Sequence, residues 1–314
     1  MRVCQTAPLG EACRGVFREL KNPYYIGDDV ALTQTTGWVD AWTSRPSVYA
    51  VAAATAQDVA AAVNFARENN LRLVVKGGGH SYLGRSNAPD SLLIWTRRMN
   101  AIVLHDSFVA DGCAGMTPPL PAVSIGPGAI WAQAYDAVAT KGGRYVQGGG
   151  CLTVGVAGLV QAGGFGSFSK QFGTAAASLI EAEIVTADGV VRIANACANP
   201  DLLWGLKGGG GGSLGVVTRM TLKMHDLPAL IGGVRGTIAA TSDAAYRRLI
   251  AKFIAFYATT SSTRIGARSS RYGLAIGWRS GCRSRVSISR GQRRFGDHSP
   301  TGWSPTCPAT SRTG

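Results

Sequence analysis

The spacing of apolar positions changes period several times between Ser47 and Trp95, and each change predicts an element. VYAVAA (48–53) reads as a strand. Thr55 with Asp58 three residues later has the form of a capping box, in which each end of the pair satisfies a free main-chain donor, so a helix is predicted from there. Val59, Ala62, Val63 and Ala66 recur at helical spacing and give that helix one apolar face. LRLVVK (71–76) is the next strand, GGGHS (77–81) a loop, and LLIW (92–95) a further short strand.

A second block follows. AVSIGPG (122–128) predicts strand and turn, 130–140 an amphipathic helix, and RYVQ a strand that runs into a GGGC loop. Residues 178–196 form a predicted hairpin turning at Asp188-Gly189, because that pair accepts the positive φ of a tight turn. Asn199-Pro200 opens a short helix ending near Lys207, and the alternating GVVTRMTLKM (215–224) closes the block. The expected organisation is an N-terminal segment (1–41), a first domain (42–227), the start of a second domain (228–260) and a tail (261–314). The second domain opens with a strand at 232–239 and a helix at 243–258, on which Tyr246, Leu249, Ile250, Phe253 and Phe256 share a spacing.

Beyond about Thr260 the pattern collapses into Arg, Ser, Gly, Pro and Thr with no period. Charge changes at the same place. The net charge is +14, but the tail holds ten arginines and one acid, so most of the charge belongs there. It lacks aromatic interleaving or an RGG-like repeat, and a nucleic-acid partner is not expected. The tail is expected to be disordered or non-native, the product of a reading-frame shift or comparable damage. No run of about 18 apolar residues offers a membrane span, so no membrane partner is expected. The first fifteen residues do not read as a secretory signal. Localisation stays unassigned.

Forty-two glycines, many in runs, suggest backbone pressed against a ligand. Seven scattered cysteines without a CxxC spacing predict neither a zinc site nor a disulfide framework. His105 and His225 fall at strand ends without partners at ligand spacing, and no metal is expected. Trp95 and Trp204 are expected to pack the core.

Two loops carry candidate chemistry. In VVKGGGHSYLG (74–84) three glycines and a histidine follow a strand directly, and successive bare N–H groups can form an anion-binding nest suited to a diphosphate. A Rossmann site would instead open a helix within its glycine fingerprint, whereas SYLGRSNAPDS continues as loop. In GGGCLTVGVAGLVQAGGFG (148–166) a single cysteine lies between glycine-dense stretches. The residues alone leave His80 open between a hydrogen-bonded loop histidine and a ligand-side group. They leave Cys151 open between a small turn residue and a nucleophile.

KGGGHS, the GGGC-x-x-VGV-x-G loop with its GGFG, and DLLWGLKGGGGGSLGVVTRMTLKMH (201–225) together resemble the FAD-binding domain of berberine-bridge-enzyme-like oxidases, of the vanillyl-alcohol-oxidase or PCMH type. The resemblance covers roughly 42–227 and implies an α+β fold: an FAD domain of two α/β subdomains, then the start of an incomplete substrate domain. It implies FAD held by two covalent bonds, from a His80 ring nitrogen to the flavin 8α-methyl carbon and from the Cys151 sulfur to C6. It implies further cofactor contacts at Lys76, Gly77, Gly78, Gly79, Ser81, Gly84, Gly150, Val154, Gly155, Gly158, Gly163, Gly164, Gly166, Gly215 and Val216. Val154, at the position three after the cysteine, favours reoxidation by O2. Lys76 stands where arginine is common, and Ala157 and Ala162 replace glycines. The implied reaction is hydride transfer from an alcohol, sugar-like or secondary-metabolite substrate to flavin. The alternative is an inactive flavin-binding fragment or pseudoenzyme. The resemblance names no catalytic base in this chain, no particular substrate and no oligomeric state, and Tyr82 is expected to be structural.

Overall fold

The computed structural model describes residues 2–34, 41–228, 230–233, 238–240, 242–256, 258–259, 272–273, 285–286 and 291–294. The chain divides into two compact units, 1–227 and 228–314.

The first unit opens with three short helices, α1 (Arg2–Thr6), α2 (Glu11–Glu19) and α3 (Pro23–Asp28). A three-stranded parallel sheet follows, in which β3 (Leu92–Trp95) lies between β1 (Tyr49–Ala52) and β2 (Leu73–Lys76). The crossover from β1 to β2 is α4 (Ala56–Glu68). Thr55 caps it as expected: its side chain accepts from the Asp58 N–H while the Asp58 carboxylate accepts from the main chain of Thr55. Val59, Ala62, Val63 and Ala66 are its buried residues, the face read from their spacing.

The second block is an antiparallel sheet in the order β4 (Ile102–Phe108), β5 (Leu120–Ile125), β9 (Val216–Asp226), β7 (Leu179–Val185), β8 (Val191–Ala194), with β6 (Arg144–Val146) also paired to β9. Helices α5 (Trp131–Tyr135), α6 (Val156–Gln161) and α8 (Pro200–Leu206) supply Trp131, Val156, Val160, Leu203 and Leu206 to its core, and α7 (Ser169–Phe172) lies beside it. The helix expected over 130–140 is α-helical only to Tyr135; residues Asp136–Lys141 widen into a π-helix. The two sheets share α4, because Val59, Ala62 and Val63 pack with Ile94 of β3 and with Val185 and Val216 of β7 and β9.

In the second unit β10 (Leu230–Gly233) pairs with the short strands β12 (Tyr272–Gly273) and β14 (Gly291–Arg294), and β11 (Ile238–Ala239) pairs with β13 (Arg285–Val286). Helix α9 spans Asp243–Phe256. Most of the expected non-native tail lies outside the described residues.

Two expectations are corrected. Trp204 is 81 % exposed: α8 turns Leu203 and Leu206 inward and leaves the indole outside. Disulfides join Cys4 to Cys13 and Cys113 to Cys197. The second pair, 84 residues apart, meets only because the loop after β4 and the turn after β8 reach the same place, which no local spacing can announce. Buried Asn195 reinforces that junction, donating to the Asp111 carbonyl at 2.8 Å and to Glu181 at 3.0 Å while accepting from the Cys197 and Ala198 N–H groups.

Closing an 84-residue loop restricts the unfolded chain strongly. Replacing Cys113 and Cys197 together by serine should lower the unfolding free energy by about 3–5 kcal/mol, read as a reduced urea midpoint. An unchanged midpoint would show that the bond does not constrain the domain.

Candidate flavin site

The site is built where two glycine-rich loops touch. One leaves β2 and holds Gly77, Gly78, Gly79 and His80; the other runs from β6 to α6 and holds Gly149, Gly150, Cys151 and Gly155. A Cβ added at Gly78 would lie 2.7 Å from the Gly155 nitrogen, and one at Gly155 would lie 2.9 Å from the Gly78 nitrogen. Backbone therefore packs on backbone, and only glycine allows it.

Together the loops enclose a cavity of about 720 Å³, within the range of ordinary small-molecule pockets. Its wall includes Gly77, Gly78, Gly79, His80, Ser81, Gly150, Cys151, Val154, Gly155, Gly158, Gly164 and Gly215. Five expected contacts are placed elsewhere. Lys76 and Val216 are each one residue away from a wall residue on a strand, Val75 and Val217, and strand alternation turns them to the opposite face. Val216 packs under α4, and the buried Lys76 ammonium donates to the carbonyls of Asp29, Val30 and Leu32. Gly84 makes room for the Trp42 ring, Gly166 for the Gly148 carbonyl, and Gly163 takes a positive φ in the turn after α6.

His80 and Cys151 are linked by a residue that the motif reading passed over. The Thr153 hydroxyl lies 3.1 Å from His80 Nε2 and 3.6 Å from Cys151 Sγ. Burial holds the His80 imidazole below the ordinary histidine range, opposed by a hydrogen bond to the Thr153 main chain, so the ring is neutral at pH 7. Cys151 is the free cysteine among the described residues, and it is exposed. The Tyr135 phenol donates to the Gly149 carbonyl at 2.7 Å and steadies the cysteine loop from behind; burial raises its pKa far above the usual tyrosine value.

Other wall residues that sequence reasoning missed include Arg85, Gln161, Gly211 and Gly212, and Tyr82 also lines the cavity. No residue spacing connects 85 or 161 with 211; the sheet order does. His105 hydrogen-bonds Ser124 at 2.9 Å, and His225 packs against Phe172.

The residues fit a large, flat, anionic cofactor. Bare main chain lines one side, added side chains at Gly150, Gly158 and Gly212 would meet only open space, and two nucleophile types lie on neighbouring loops.

Residues 47–195 match the family described as FAD binding domain. FAD-linked oxidoreductase malF of Malbranchea aurantiaca is 43% identical over 194 residues, which cover 61% of this chain and 33% of that protein. The chain thus spans about a third of the curated relative's length. Among solved structures, the VAO-type flavoprotein MtVAO615 of Myceliophthora thermophila superposes with a TM-score of 0.62 at 34% identity, over 68% of this chain and 38% of that one. Glucooligosaccharide oxidase of Acremonium strictum, whose FAD is described as 6-S-cysteinyl, 8α-N1-histidyl, matches with a TM-score of 0.55 at 25% identity, over 63% of this chain and 39% of that one.

Gly78→Ala should force the loops apart, since its Cβ meets the main chain of Gly155 and Thr153, and cost about 1–3 kcal/mol in thermal or urea unfolding. Gly150→Ala should leave stability nearly unchanged and act only through flavin loading. Equal stability loss in both would contradict the packed-loop account.

Proposed function

We propose, from the premise that this chain carries the FAD-binding domain of the VAO-type, berberine-bridge-like oxidoreductases, that it serves hydride transfer from a small organic substrate to a bicovalently held flavin. The observation that carries the reading is the convergence of His80 and Cys151 on one cavity through a shared hydroxyl. The cofactor would accept a hydride, that is two electrons with one proton; the protein supplies placement and electrostatics.

In this reading Gly77, Gly78 and Gly79 turn main-chain N–H groups toward the diphosphate, where no arginine or lysine is needed. Neutral His80 provides a ring nitrogen for the 8α carbon, and exposed Cys151 provides sulfur for C6. Two attachments hold the ring system without walls on both faces, which leaves space for a bulky alcohol, sugar-like or secondary-metabolite substrate. Val154 lies in the wall three residues from the cysteine, where a small β-branched side chain leaves the flavin open to O2. The wall among the described residues offers no carboxylate, and no base for the substrate proton is assigned. The second reading, a flavin-binding fragment without turnover, predicts the same attachment and no substrate-dependent reduction.

Attachment is tested by acid precipitation of flavin-loaded protein. Flavin should remain with the pellet in wild type, His80→Ala and Cys151→Ala, and leave it entirely in the double variant. Free release from the wild type would end the bicovalent reading. For oxygen, photoreduced flavin should reoxidise quickly in air, and Val154→Leu should slow this by about tenfold or more, the ratio of a barrier raised by ~1.4 kcal/mol. Equal rates would remove the role given to Val154.

A further inference from the structure

Thr153 is 5% exposed and is not itself part of the cavity wall, although its neighbour Val154 is. Its direction is fixed by its surroundings. Val154 N–H bonds the Cys151 carbonyl at 3.3 Å, Val154 carbonyl accepts from Trp131 at 3.0 Å, and the Thr153 carbonyl is backed by Gly78. The hydroxyl therefore acts on His80 and Cys151 from behind the wall, at 3.1 and 3.6 Å.

A hydroxyl has one proton to give and lone pairs to accept with, and a neutral imidazole has one N–H. Two arrangements of these three groups use the hydroxyl proton between them. In one, Nε2–H donates to Oγ1 and Oγ1–H faces the sulfur. In the other, sulfur donates to Oγ1, Oγ1–H faces Nε2, and the ring proton occupies Nδ1. Only the first leaves the Nδ1 lone pair open and gives the sulfur a donor at the same time, which attachment through both groups requires.

We propose that Thr153 is a positioning residue that readies both nucleophiles at once: by accepting the His80 Nε2–H it leaves the Nδ1 lone pair free, and by donating to Cys151 Sγ it stabilises negative charge developing on the sulfur. The proposal rests on the bicovalent reading for its purpose, but its proton positions are properties of the chain alone. One side chain thereby couples two attachment points that belong to different loops, and losing its hydroxyl weakens both.

The test uses the full chain with Thr153→Val, which keeps the shape and removes the hydroxyl, and Thr153→Ser, which restores it. In flavin-free protein, ¹⁵N shifts should place the His80 proton on Nε2 in wild type and distribute it over both nitrogens in Thr153→Val. Iodoacetamide labelling of Cys151 at pH 7.5, followed on its own peptide by mass spectrometry, should slow about three- to tenfold in Thr153→Val, the ratio associated with one net hydrogen bond, and recover in Thr153→Ser. After flavin loading, the fraction retained on acid precipitation should fall in Thr153→Val and recover in Thr153→Ser. Wild-type labelling rates and ¹⁵N shifts in Thr153→Val would overturn the proposal even where flavin stays attached. Conversely, a wild type that releases all flavin would end the bicovalent reading while the flavin-free measurements still judge Thr153. Should Thr153→Val not fold, Thr153→Ala carries the same expectations, and an Nδ1–H tautomer of His80 in wild type is sufficient by itself to refute the assignment.

Discussion

The contact between Gly78 and Gly155 is the constraint on which the rest of the unit depends. Each glycine is the space the other needs: a Cβ on either would lie within 3 Å of main-chain nitrogen across the gap. The loop after β2 comes from a parallel sheet and the loop before α6 from an antiparallel block, and this approach fixes one against the other. Once it is made, the Thr153 carbonyl abuts Gly78, and its hydroxyl falls within reach of His80. Further close approaches extend the same logic. Gly148 accommodates the Trp131 ring, and Gly166 lets its backbone meet the Gly148 carbonyl. The glycine richness of the chain is thus spent on packing as well as on exposing N–H groups.

Much of this was legible in the sequence because local signals and long-range packing agree. The capping box at Thr55, the α4 face, the β3 strand at 92–95 and the turn at Asp188-Gly189 all report interactions within a few residues of themselves. The site failed to be legible where strand alternation or tertiary reach decides. Lys76 and Val216 adjoin wall residues in sequence and face away from them in space. Thr153 carries no distinguishing spacing, since its importance comes from a ring 73 positions earlier. The Cys113–Cys197 bond and the Glu181–Asn195 contact beside it arise the same way, from loops that only the sheet order brings together.

The sharing of α4 explains why two sheets of different type behave as one unit. Its apolar face is used twice, by Ile94 on one side and by Val185 and Val216 on the other. The side chain at Val216 therefore serves the junction while its neighbour Val217 serves the cavity, and the single strand β9 carries both duties on alternate faces. A one-residue slip of β9 would exchange these faces and damage core and cavity together. The register of β9 with β5 and β7 is accordingly a condition of the site as well as of the sheet.

Lys76 shows what holds the glycine nest in place. Burial brings its ammonium down to about 8, against the pull of Asp29, and such a group is tolerated only where its donors are met. They are met by three carbonyls of one short stretch, Asp29, Val30 and Leu32. The same stretch then grips the loop twice more: Gln34 N–H donates to the Gly79 carbonyl at 2.9 Å, and Asn87 donates to the Ala31 carbonyl at 3.0 Å. Residues 29–34 therefore form an outer brace over the glycine loop. Strand alternation turns the cation immediately before the glycines toward this brace, and the brace in turn occupies the Gly79 carbonyl from outside the cavity.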